Sequence, residues 1–492
     1  TPQTKEKLER LESLDKVKLA ASVMEKVRPQ KMERIVGQER AVEAMCSKVA
    51  SVYPQHILLY GPPGVGKTTA ARIILEEAKK LPYTPFSVDA PFVETDGTTL
   101  RWDARDMTNP LIGSVHDPIY QGARRDLADT GIPEPKPGLV TDAHGGILFI
   151  DEIGEMDPLL LNKLLKVLED KRVKFDSAYY DASDPAVPAY IRKLFAEGAP
   201  ADFILIGATT RSPQEINPAI RSRCAEVYFE PLNGTDIQAI VRNAAHDLSV
   251  SLEDGVAEYI SEFTVEGRKA INLLADMYGY AVYKQGSGEN TVITLEDAKH
   301  VVRIGHFIPY AAEKASSLPV AGKVFGLGVS GYLGSVIEIE AVAFPAREAG
   351  KGYFRFNDTA GSMAKDSLFN AAAVVRAVTG KEISDFDINV NFVGGGQIDG
   401  PSAGTAVTVA LISALTGKKV RQDAAVTGEI SVSGQVRAVG GIFEKAYGAS
   451  RAGMKDMIIP AENKDEITKH HLNLNIHAVT TIQEVMSLLF VE

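Results

Sequence analysis

"LLYGPPGVGKTTAARIILEEA", residues 58–78, joins an apolar run typical of a buried strand to a pattern with helical period. At the junction stands the spacing G-x-x-x-x-G-K-T, which predicts a P-loop. Its glycines let backbone amides wrap the phosphates of ATP, Lys67 brings positive charge to the β and γ oxygens, and the Thr68 hydroxyl can bind Mg²⁺. The predicted ATP-binding loop comprises Gly61, Pro62, Pro63, Gly64, Val65, Gly66, Lys67 and Thr68.

A second apolar run, GGILFIDE, ends in Asp151 and Glu152. An acidic pair at the end of a buried strand is the expected partner of a P-loop, because one acid enters the Mg²⁺ shell and the other activates the attacking water. We therefore expect Thr68 and Asp151 to hold Mg²⁺ and Glu152 to orient the water. The alternative is that both acids cap the next helix, which the presence of a P-loop disfavours.

Four further residues are candidates for contact with nucleotide phosphates. The strand DFILIGATTR ends in Thr210, which is placed to reach the γ-phosphate or the water. NPAIRSRC offers Arg221 and Arg223 as arginines that stabilise charge on a neighbour's nucleotide. We favour Arg223 for this role, and the alternatives are Arg221 in its place or both in surface pairing. Arg268 begins a helix in GRKA and touches the same phosphates or lies in solvent.

Composition narrows the class of protein. The chain of 492 residues is too long for one core, and its 45% hydrophobic and 24% charged residues are ordinary for a soluble protein. The net charge of −11 disfavours nucleic acid as a partner. The distant Cys46 and Cys224 match no disulfide framework or zinc spacing, which favours the reducing cytoplasm. Because the sequence starts at Thr1 rather than Met, membrane association is expected only through an N-terminal segment that precedes it.

Changes in periodicity divide the chain into four segments. Residues 1–27 predict a helical lead-in, which a proline ends. Residues 28–232 alternate strand-like and helical runs and predict a parallel sheet covered by helices, an α/β fold. Residues 233–312 predict a small helical lid. Residues 313–492 begin rich in glycine and β-branched residues, then mix strands with helices, which predicts a separate α+β domain.

The order RIVGQERA, P-loop, acid pair, GATTR, SRC and GRKA through residues 28–310 resembles an AAA+ ATPase. The resemblance implies a ring, usually of six subunits, that converts ATP hydrolysis into mechanical work. It also implies that Ile35 and Val36 lie near adenine. An AAA+ core does not identify its substrate, because the same ATPase core acts on proteins, on DNA and on partners in metal chelation.

The same resemblance implies loops that line a central pore. NPLIGSVHDPIYQGA is one candidate, in which Leu111, Ile112 or Tyr120 would grip the substrate. Packing of these side chains inside the domain is the alternative. FDSAYYDASD, residues 175–184, is a second candidate for a pore-facing insertion.

The C-terminal part contains a candidate nucleophile. In QIDGPSAGTAVTVALISALTG, residues 397–417, Gly400 and Pro401 predict a turn, so Ser402 lies at the start of a nearly uncharged helix. Amides at a helix start stabilise an oxyanion or a deprotonated serine, but the serine still needs a base. The nine histidines give no obvious Ser-His-Asp arrangement. A serine that only caps the helix is the alternative.

A lysine can serve as that base if burial lowers its pKa. Lys445 stands in AVGGIFEKAYGA, an apolar helix start opened by glycines. A lysine on a helix is more often solvated, and its separation from Ser402 along the chain does not establish contact.

The stretches GSVIEIEA, DGPSAGTA, TGEISVSGQVRAVGGIFEK and MIIP occur in this order within residues 320–492, which resemble the protease domain of the Lon family. The resemblance implies that Ser402 is the nucleophile and Lys445 its base. It implies that Thr427 orients this dyad, unless Thr427 is only a turn residue. Asp399 bonds near the dyad or caps the turn.

Three departures from other Lon proteins refine the type. The chain lacks the large N-terminal recognition domain of most bacterial members, and it has Ile398 where that type has lysine. Unlike the archaeal B-type members, it has no membrane span between the P-loop and the acid pair. The sequence most resembles the B-type Lon of spore-forming bacteria.

These resemblances imply an ATP-dependent serine endopeptidase that unfolds, translocates and processively degrades proteins in a ring, a hexamer of this chain. ATP and Mg²⁺ are the implied cofactors, and unfolded or regulatory proteins are the implied substrates, as in protein quality control. One rival is a nucleic-acid motor, since GATTR also resembles branch-migration ATPases, although these carry a basic DNA-reading domain. Another is an unfoldase or chaperone whose protease half is inert, against which the presence of Ser402 and Lys445 argues.

Overall fold

The computed structural model describes residues 2–16, 22–100, 110–116, 132–309, 314–330, 333–357, 362–393, 400–467 and 474–491. The chain forms two compact units, unit 1 (Thr1–Ile308) and unit 2 (Pro309–Glu492). Within the described ranges, the helices include none with both the length and the apolarity of a membrane span.

Unit 1 is built from strands and helices in alternation. Its strands are β1 (Ile57–Tyr60), β2 (Phe92–Asp96), β3 (Gly113–His116), β4 (Glu134–Pro137), β5 (Ile147–Asp151), β6 (Arg172–Val173), β7 (Ala199–Pro200), β8 (Ile204–Thr209), β9 (Ala225–Tyr228), β10 (Ser251–Leu252) and β11 (Val292–Ile293). Its helices are α1 (Pro2–Lys16), α2 (Val23–Lys26), α3 (Glu39–Val49), α4 (Lys67–Lys79), α5 (Leu139–Asp142), α6 (Pro158–Asp170), α7 (Ala189–Glu197), α8 (Pro218–Arg221), α9 (Gly234–Asp247), α10 (Val256–Ser261), α11 (Gly267–Gln285) and α12 (Leu295–Ile304).

The centre of unit 1 is a parallel sheet with the strand order β2-β5-β8-β1-β9. Successive residues of a strand enter different cores: Ile57 and Leu59 join the core that contains α4, whereas Leu58 joins the core that contains α6. A strand covered on both faces needs a continuous apolar run, which is the pattern of HILLYG and GGILFIDE. The predicted parallel sheet is therefore confirmed.

The N-terminal lead-in contains a second helix start. Ser22 Oγ accepts a hydrogen bond from the Glu25 amide at 3.2 Å, and Glu25 Oε2 accepts one from the Ser22 amide at 3.0 Å. This reciprocal pair is a capping box, which satisfies two amides at the beginning of α2. The expected single helix therefore starts anew at Val23.

Helices α9 to α12 follow the sheet and pack with one another beside the short parallel pair β10-β11. Capping boxes begin α9 at Asn233 and α12 at Thr294. Apolar residues of these helices, such as Val241 and Leu274, are fully buried in the same core as α4. This packing sets the start of α11, which carries Arg268, beside the P-loop.

Unit 2 mixes long strands with buried helices. Its strands are β12 (Val320–Ala321), β13 (Lys323–Ser330), β14 (Leu333–Pro345), β15 (Phe354–Phe356), β16 (Phe386–Val393), β17 (Lys419–Val420), β18 (Ala424–Val426), β19 (Glu429–Ile430), β20 (Val436–Arg437), β21 (Asp456–Pro460) and β22 (Asn475–Val479). Its helices are α13 (Ser362–Thr379), α14 (Gly404–Thr416), α15 (Ile442–Arg451) and α16 (Ile482–Leu489).

A mixed sheet organises unit 2, with the order β15-β16-β14-β13-β18-β21-β22. β14 is antiparallel to β13 and β16, whereas β13, β18, β21 and β22 are parallel neighbours. Helices α13, α14 and α16 share a core on one face of this sheet, and α15 packs on the other face. α14 is buried almost all round, which explains why its sequence carries no charge.

Helix α15 lies against β14 at very short range. A Cβ on Gly448 of α15 would lie 2.5 Å from the carbonyl carbon of Gly334 in β14. A Cβ on Gly334 would in turn overlap the carbonyl oxygen of Glu444. Glycine at both positions therefore permits the backbone contact that holds Lys445 beside the first residues of β14.

We expect Gly334→Ala to lower the free energy of unfolding by about 2 kcal/mol or more, because the added methyl group has no space between strand and helix. Gly440→Ala is the matched control, since nothing lies within 4 Å of a Cβ there, and its change should stay within about 0.5 kcal/mol. The measurement is denaturant unfolding of the full chain followed by circular dichroism. Equal stabilities for the two variants would contradict the close approach of α15 to β14.

Candidate functional site

The P-loop of unit 1 follows β1 directly, and its glycines adopt backbone angles that other residues avoid. Gly61 has a φ of 150°, and Gly66, which precedes α4, has a φ of 101°. A Cβ on Gly61 would lie 2.6 Å from the carbonyl oxygen of Phe229. Glycine is therefore required both for the turn and for the passage of the loop past the strand end of β9.

Lys67 is the first residue of α4 and is buried. Its ammonium donates hydrogen bonds of 2.7 Å to the carbonyl oxygens of Gly61 and Pro62. Burial lowers the pKa of Lys67 to about 8, although the charges of Glu152 and Asp151 act in the opposite direction. An ammonium held in so little water gains most from an anionic partner, which is what nucleotide phosphates supply.

A cavity of about 310 Å³ adjoins the P-loop and brings most of the predicted nucleotide site together. The residues predicted for the nucleotide site that line this cavity are Pro63, Gly64, Val65, Gly66, Lys67, Thr68, Asp151, Glu152 and Arg268. Loop amides, a buried ammonium and a guanidinium suit a polyphosphate. The described residues contain no cluster of three or more His, Cys, Asp or Glu side chains that could hold a metal on their own. Mg²⁺ needs only one or two protein ligands beside phosphate and water, and Thr68 and Asp151 fit that demand.

The acid pair stands at the carboxyl end of β5. Glu152 has a φ of 46°, an uncommon conformation for a residue with a Cβ. Its Oε2 accepts hydrogen bonds from the Thr210 amide at 3.3 Å and the Thr210 hydroxyl at 3.1 Å. Because β5 and β8 are parallel neighbours, their carboxyl ends bring Glu152 and Thr210 to one edge of the sheet. Backbone strain at a carboxylate in such a cleft is typical of a functional position.

Apolar side chains also line the cavity. Among them are Ile35 and Val36, near which the resemblance places adenine. Met24 and Val27 line it as well, and these residues of the lead-in were not predicted as part of the site. The S-x-x-E spacing of Ser22 and Glu25 was the sequence signal for the short helix that presents them.

The two candidate arginines lie in and just after the short helix α8 and do not line this cavity. Arg223 forms an ion pair with Glu169 and donates to the Ala219 carbonyl oxygen at 2.8 Å. Arg221 Nε donates to Glu226 Oε1 at 2.7 Å. Both therefore have partners within their own chain, with about a third of each side chain exposed (36% for Arg223 and 34% for Arg221).

The candidate pore-loop residues differ in their burial. Leu111 is fully buried in the core that contains α6, so its prediction as a gripping residue is wrong. Ile112 is half-buried and packs against the same core. Tyr120 lies outside the described residues. In the second candidate insertion, Tyr179 is exposed.

In unit 2, Ser402 lies in a single 3₁₀ turn that precedes α14. Its carbonyl oxygen accepts hydrogen bonds from the Gly428 amide at 3.1 Å and, at a long 3.5 Å, from the Thr427 hydroxyl. The Gly404 amide donates to Pro401, and the Thr405 amide donates to the Gly428 carbonyl oxygen. These two amides are thus already used, and fewer donors remain for an oxyanion than the sequence suggested.

Lys445 is buried in the first turns of α15, after Gly441 with a φ of 68°. Burial lowers its pKa to about 8, and the charges of Glu444 and Glu466 partly oppose this effect. Asn463, which was not predicted, donates to Glu466 Oε1 at 2.7 Å and exchanges two 3.0 Å hydrogen bonds with the backbone of Val439. It thereby fixes both the carboxylate near Lys445 and the segment that leads into α15.

The turn that carries Ser402 leads into α14 on one face of the sheet, and Lys445 belongs to α15 on the other face, but both lie at the same edge of the sheet. Gly428, which binds Ser402, is two residues past the pairing of β18 with β13, and Gly334, beside Lys445, pairs with the end of β13. The described part of unit 2 contains no hydrogen bond between the Ser402 and Lys445 side chains. Their contact stays a prediction, and Asp399 lies outside the described residues.

Comparisons with known proteins were made for the whole chain. Residues 57–232 match the model of the ATPase family associated with various cellular activities (AAA), and residues 296–492 match that of the Lon protease (S16) C-terminal proteolytic domain. The sequence is 43% identical over 497 residues to Lon protease 2 of Bacillus subtilis (strain 168). The alignment covers 98% of this chain and 89% of the relative. The chain belongs to the Lon protease family.

More distant Lon relatives also match most of the chain. The archaeal Lon protease of Archaeoglobus fulgidus is 28% identical over 444 residues, or 81% of this chain and 68% of the relative. The archaeal Lon protease of Thermococcus kodakarensis is 28% identical over 440 residues, or 81% of this chain and 66% of the relative.

Membership of the Lon family confirms the predicted fold and enzyme class. The chain is an ATP-dependent protease: its AAA domain binds nucleotide, and its C-terminal domain is proteolytic and acts on proteins. Bacillus subtilis is a spore-forming bacterium, so this relative confirms the predicted resemblance to the Lon of spore-forming bacteria. The rival nucleic-acid motor would need a DNA-reading domain where this chain has an S16 domain.

We expect Lys67→Met to abolish ATP binding by this Lon protein, because the loop then lacks its buried cation. Binding is measured with a fluorescent ATP analogue. Lys80→Met, at the exposed end of α4, is the control and should bind as the unmodified protein does. Unchanged binding by Lys67→Met would exclude the P-loop as the phosphate site.

Proposed function

We propose that this Lon protein assembles as a homohexameric ring that unfolds proteins, threads them through its centre and degrades them processively. Unfolded and regulatory proteins are the proposed substrates, and protein quality control the proposed role. Support comes from the nucleotide site of unit 1 and from the buried lysine of unit 2, which lies at the sheet edge where the serine turn lies. Cytoplasmic location is proposed from the free thiols of Cys46 and Cys224, which suit a reducing compartment.

The proposed ATPase roles follow from the geometry around the cavity. Thr68 and Asp151 would hold Mg²⁺, which neutralises phosphate charge when bound. Glu152, fixed by Thr210, orients the attacking water and takes its proton. Arg268 contacts the phosphates of its own subunit, and Arg223 reaches the nucleotide of a neighbour.

The proposed proteolytic roles centre on Ser402 and Lys445. Neutral Lys445 takes the proton of the Ser402 hydroxyl as its oxygen bonds to the substrate carbonyl carbon, and the resulting ammonium delivers that proton to the leaving amine. Water then hydrolyses the acyl-enzyme in the same way. Thr427 holds the serine turn through its hydrogen bond to the Ser402 carbonyl oxygen.

The observation that carries this proposal is the burial of Lys445 at the sheet edge where Ser402 lies. An ordinary lysine is protonated at neutral pH and cannot accept a proton. Desolvation makes the neutral amine accessible without a histidine, so a serine and a lysine suffice for acyl transfer.

Degradation of casein with and without ATP tests the division of labour between the units. We expect Ser402→Ala to abolish cleavage while ATP hydrolysis persists, because the variant lacks only the nucleophile. Glu152→Gln should bind ATP, fail to hydrolyse it and degrade folded substrates at least tenfold more slowly. Proteolysis that survives in Ser402→Ala would exclude the dyad.

Two further outcomes bear on the rival functions. ATP hydrolysis stimulated by DNA, without proteolysis, would support the nucleic-acid motor. Unfolding of a fluorescent substrate protein by the unmodified chain without cleavage would support the inert-protease chaperone. Degradation of casein by the unmodified protein would contradict both the nucleic-acid motor and the inert-protease chaperone.

The pH dependence of peptide cleavage tests the state of the base. Because only neutral Lys445 accepts the proton, kcat should rise with pH through the lysine pKa of about 8 and fall about tenfold per pH unit below it. A fluorogenic peptide at saturating ATP gives the profile, with ATPase activity measured in parallel to correct for unit 1. A profile that is flat across this range would contradict lysine as the base.

A further inference from the structure

Both carboxylate oxygens of Glu226, in β9, have hydrogen-bond donors. Oε1 accepts from Arg221 Nε at 2.7 Å and from the Tyr60 hydroxyl at 3.2 Å. Oε2 accepts from the Tyr228 hydroxyl at 2.8 Å. The rings of Tyr60 and Tyr228 stack with centroids 5.2 Å apart. We call these four side chains the Glu226 cluster.

The groups of the Glu226 cluster have defined charges. The hydrogen bond from Arg221 lowers the pKa of Glu226, so this carboxylate is ionised and only accepts. Burial and Glu226 raise the pKa of Tyr228 to about 12, and the pKa of Tyr60 is raised for the same reasons, so both hydroxyls are neutral donors. The cluster is therefore a charge-assisted network of one ionised carboxylate and three donors.

The cluster joins two functional segments of unit 1. Tyr60 is the last residue of β1 and precedes Gly61 of the P-loop, and its carbonyl oxygen accepts from the Phe229 amide at 2.7 Å. Arg221 is the last residue of α8, two positions before Arg223. Glu226 thus binds the strand that leads into the subunit's own ATP loop to the turn that carries Arg223.

Arg223 itself has weaker tethers. Its ion pair with Glu169 is largely exposed, with the carboxylate side chain at 50% exposure. Exposed pairs contribute little and exchange easily, so Arg223 can leave Glu169 for a stronger anion. Its other bond, to Ala219, lies within α8 and moves with that helix. The position from which Arg223 reaches outward therefore follows α8, which Ile220 anchors in the core and Arg221 ties to Glu226.

We propose that Glu226 is a positioning residue for ATP hydrolysis, which fixes the Arg223 turn relative to the P-loop of the same subunit through Arg221 and Tyr60. A change at one nucleotide is thereby transmitted to the arginine that serves the next. Arg221 is an internal anchor rather than a second trans-acting arginine. This inference rests on the proposed role of Arg223.

Glu226→Gln tests the inference because the amide keeps the shape but replaces one acceptor with a donor that faces existing donors. We expect kcat for ATP hydrolysis to fall roughly tenfold, as loss of a charge-assisted bond predicts, with KM for ATP within about twofold. The cooperative dependence of the hydrolysis rate on ATP concentration should also weaken. Arg223→Ala should be slower still, and the double variant no slower than Arg223→Ala, since the two changes act through one arginine.

Glu258→Gln is the matched control, because Glu258 pairs with Arg242 in the helical part of unit 1 away from the Glu226 cluster; it should retain the unmodified rate. Tyr60→Phe removes a single donor and should lower kcat in the same way but by less than Glu226→Gln does. The inference is therefore testable even if Glu226→Gln does not fold. Multiplicative effects of Glu226→Gln and Arg223→Ala, or a rise in KM alone, would overturn the inference. An unmodified kcat for Arg223→Ala would instead overturn the proposed role of Arg223.

Discussion

Each unit of this Lon protein buries a lysine side chain near the start of a helix that follows a glycine. Lys67 begins α4 after Gly66, and Lys445 lies in the first turns of α15 after Gly441, both glycines with positive φ. Burial lowers the pKa of each lysine to about 8. In unit 1 carbonyl oxygens hold the ammonium, and we propose that phosphates replace them. In unit 2 the same desolvation is what the proposed role of Lys445 as a base requires.

Parallel strands explain why each site forms where it does. In unit 1 the carboxyl ends of β1, β5 and β8 bring the P-loop, Glu152 and Thr210 to one sheet edge. In unit 2 the ends of β13 and β18 do the same for the segments beside Lys445 and Ser402. Side chains from different helices can meet at such an edge without crossing the sheet.

Local motifs could be predicted from the sequence, and tertiary contacts could not. The P-loop spacing, the acid pair and the individual strands and helices of the α/β fold depend on residues close together in the chain, and the resemblance to the Lon family rested on four stretches in order. Leu111 was a candidate for contact with substrate because the resemblance implied a loop there and an apolar loop residue carries no local sign of burial, yet it is fully buried. The hydrogen bonds from the Thr405 amide to Gly428 and from Tyr60 to Glu226 join segments that are far apart in the chain, so no local periodicity predicts them.

The titration of Lys445 tests most directly whether burial turns this lysine into a base. It can be followed by NMR of ¹³C-labelled lysine side chains in the Ser402→Ala protein, with Lys445→Arg to assign the signal. Desolvation at the α15–β14 contact predicts an inflection near pH 8. An inflection near the ordinary lysine value of 10.5 would mean that Lys445 stays protonated at working pH, which would contradict the Ser402–Lys445 mechanism.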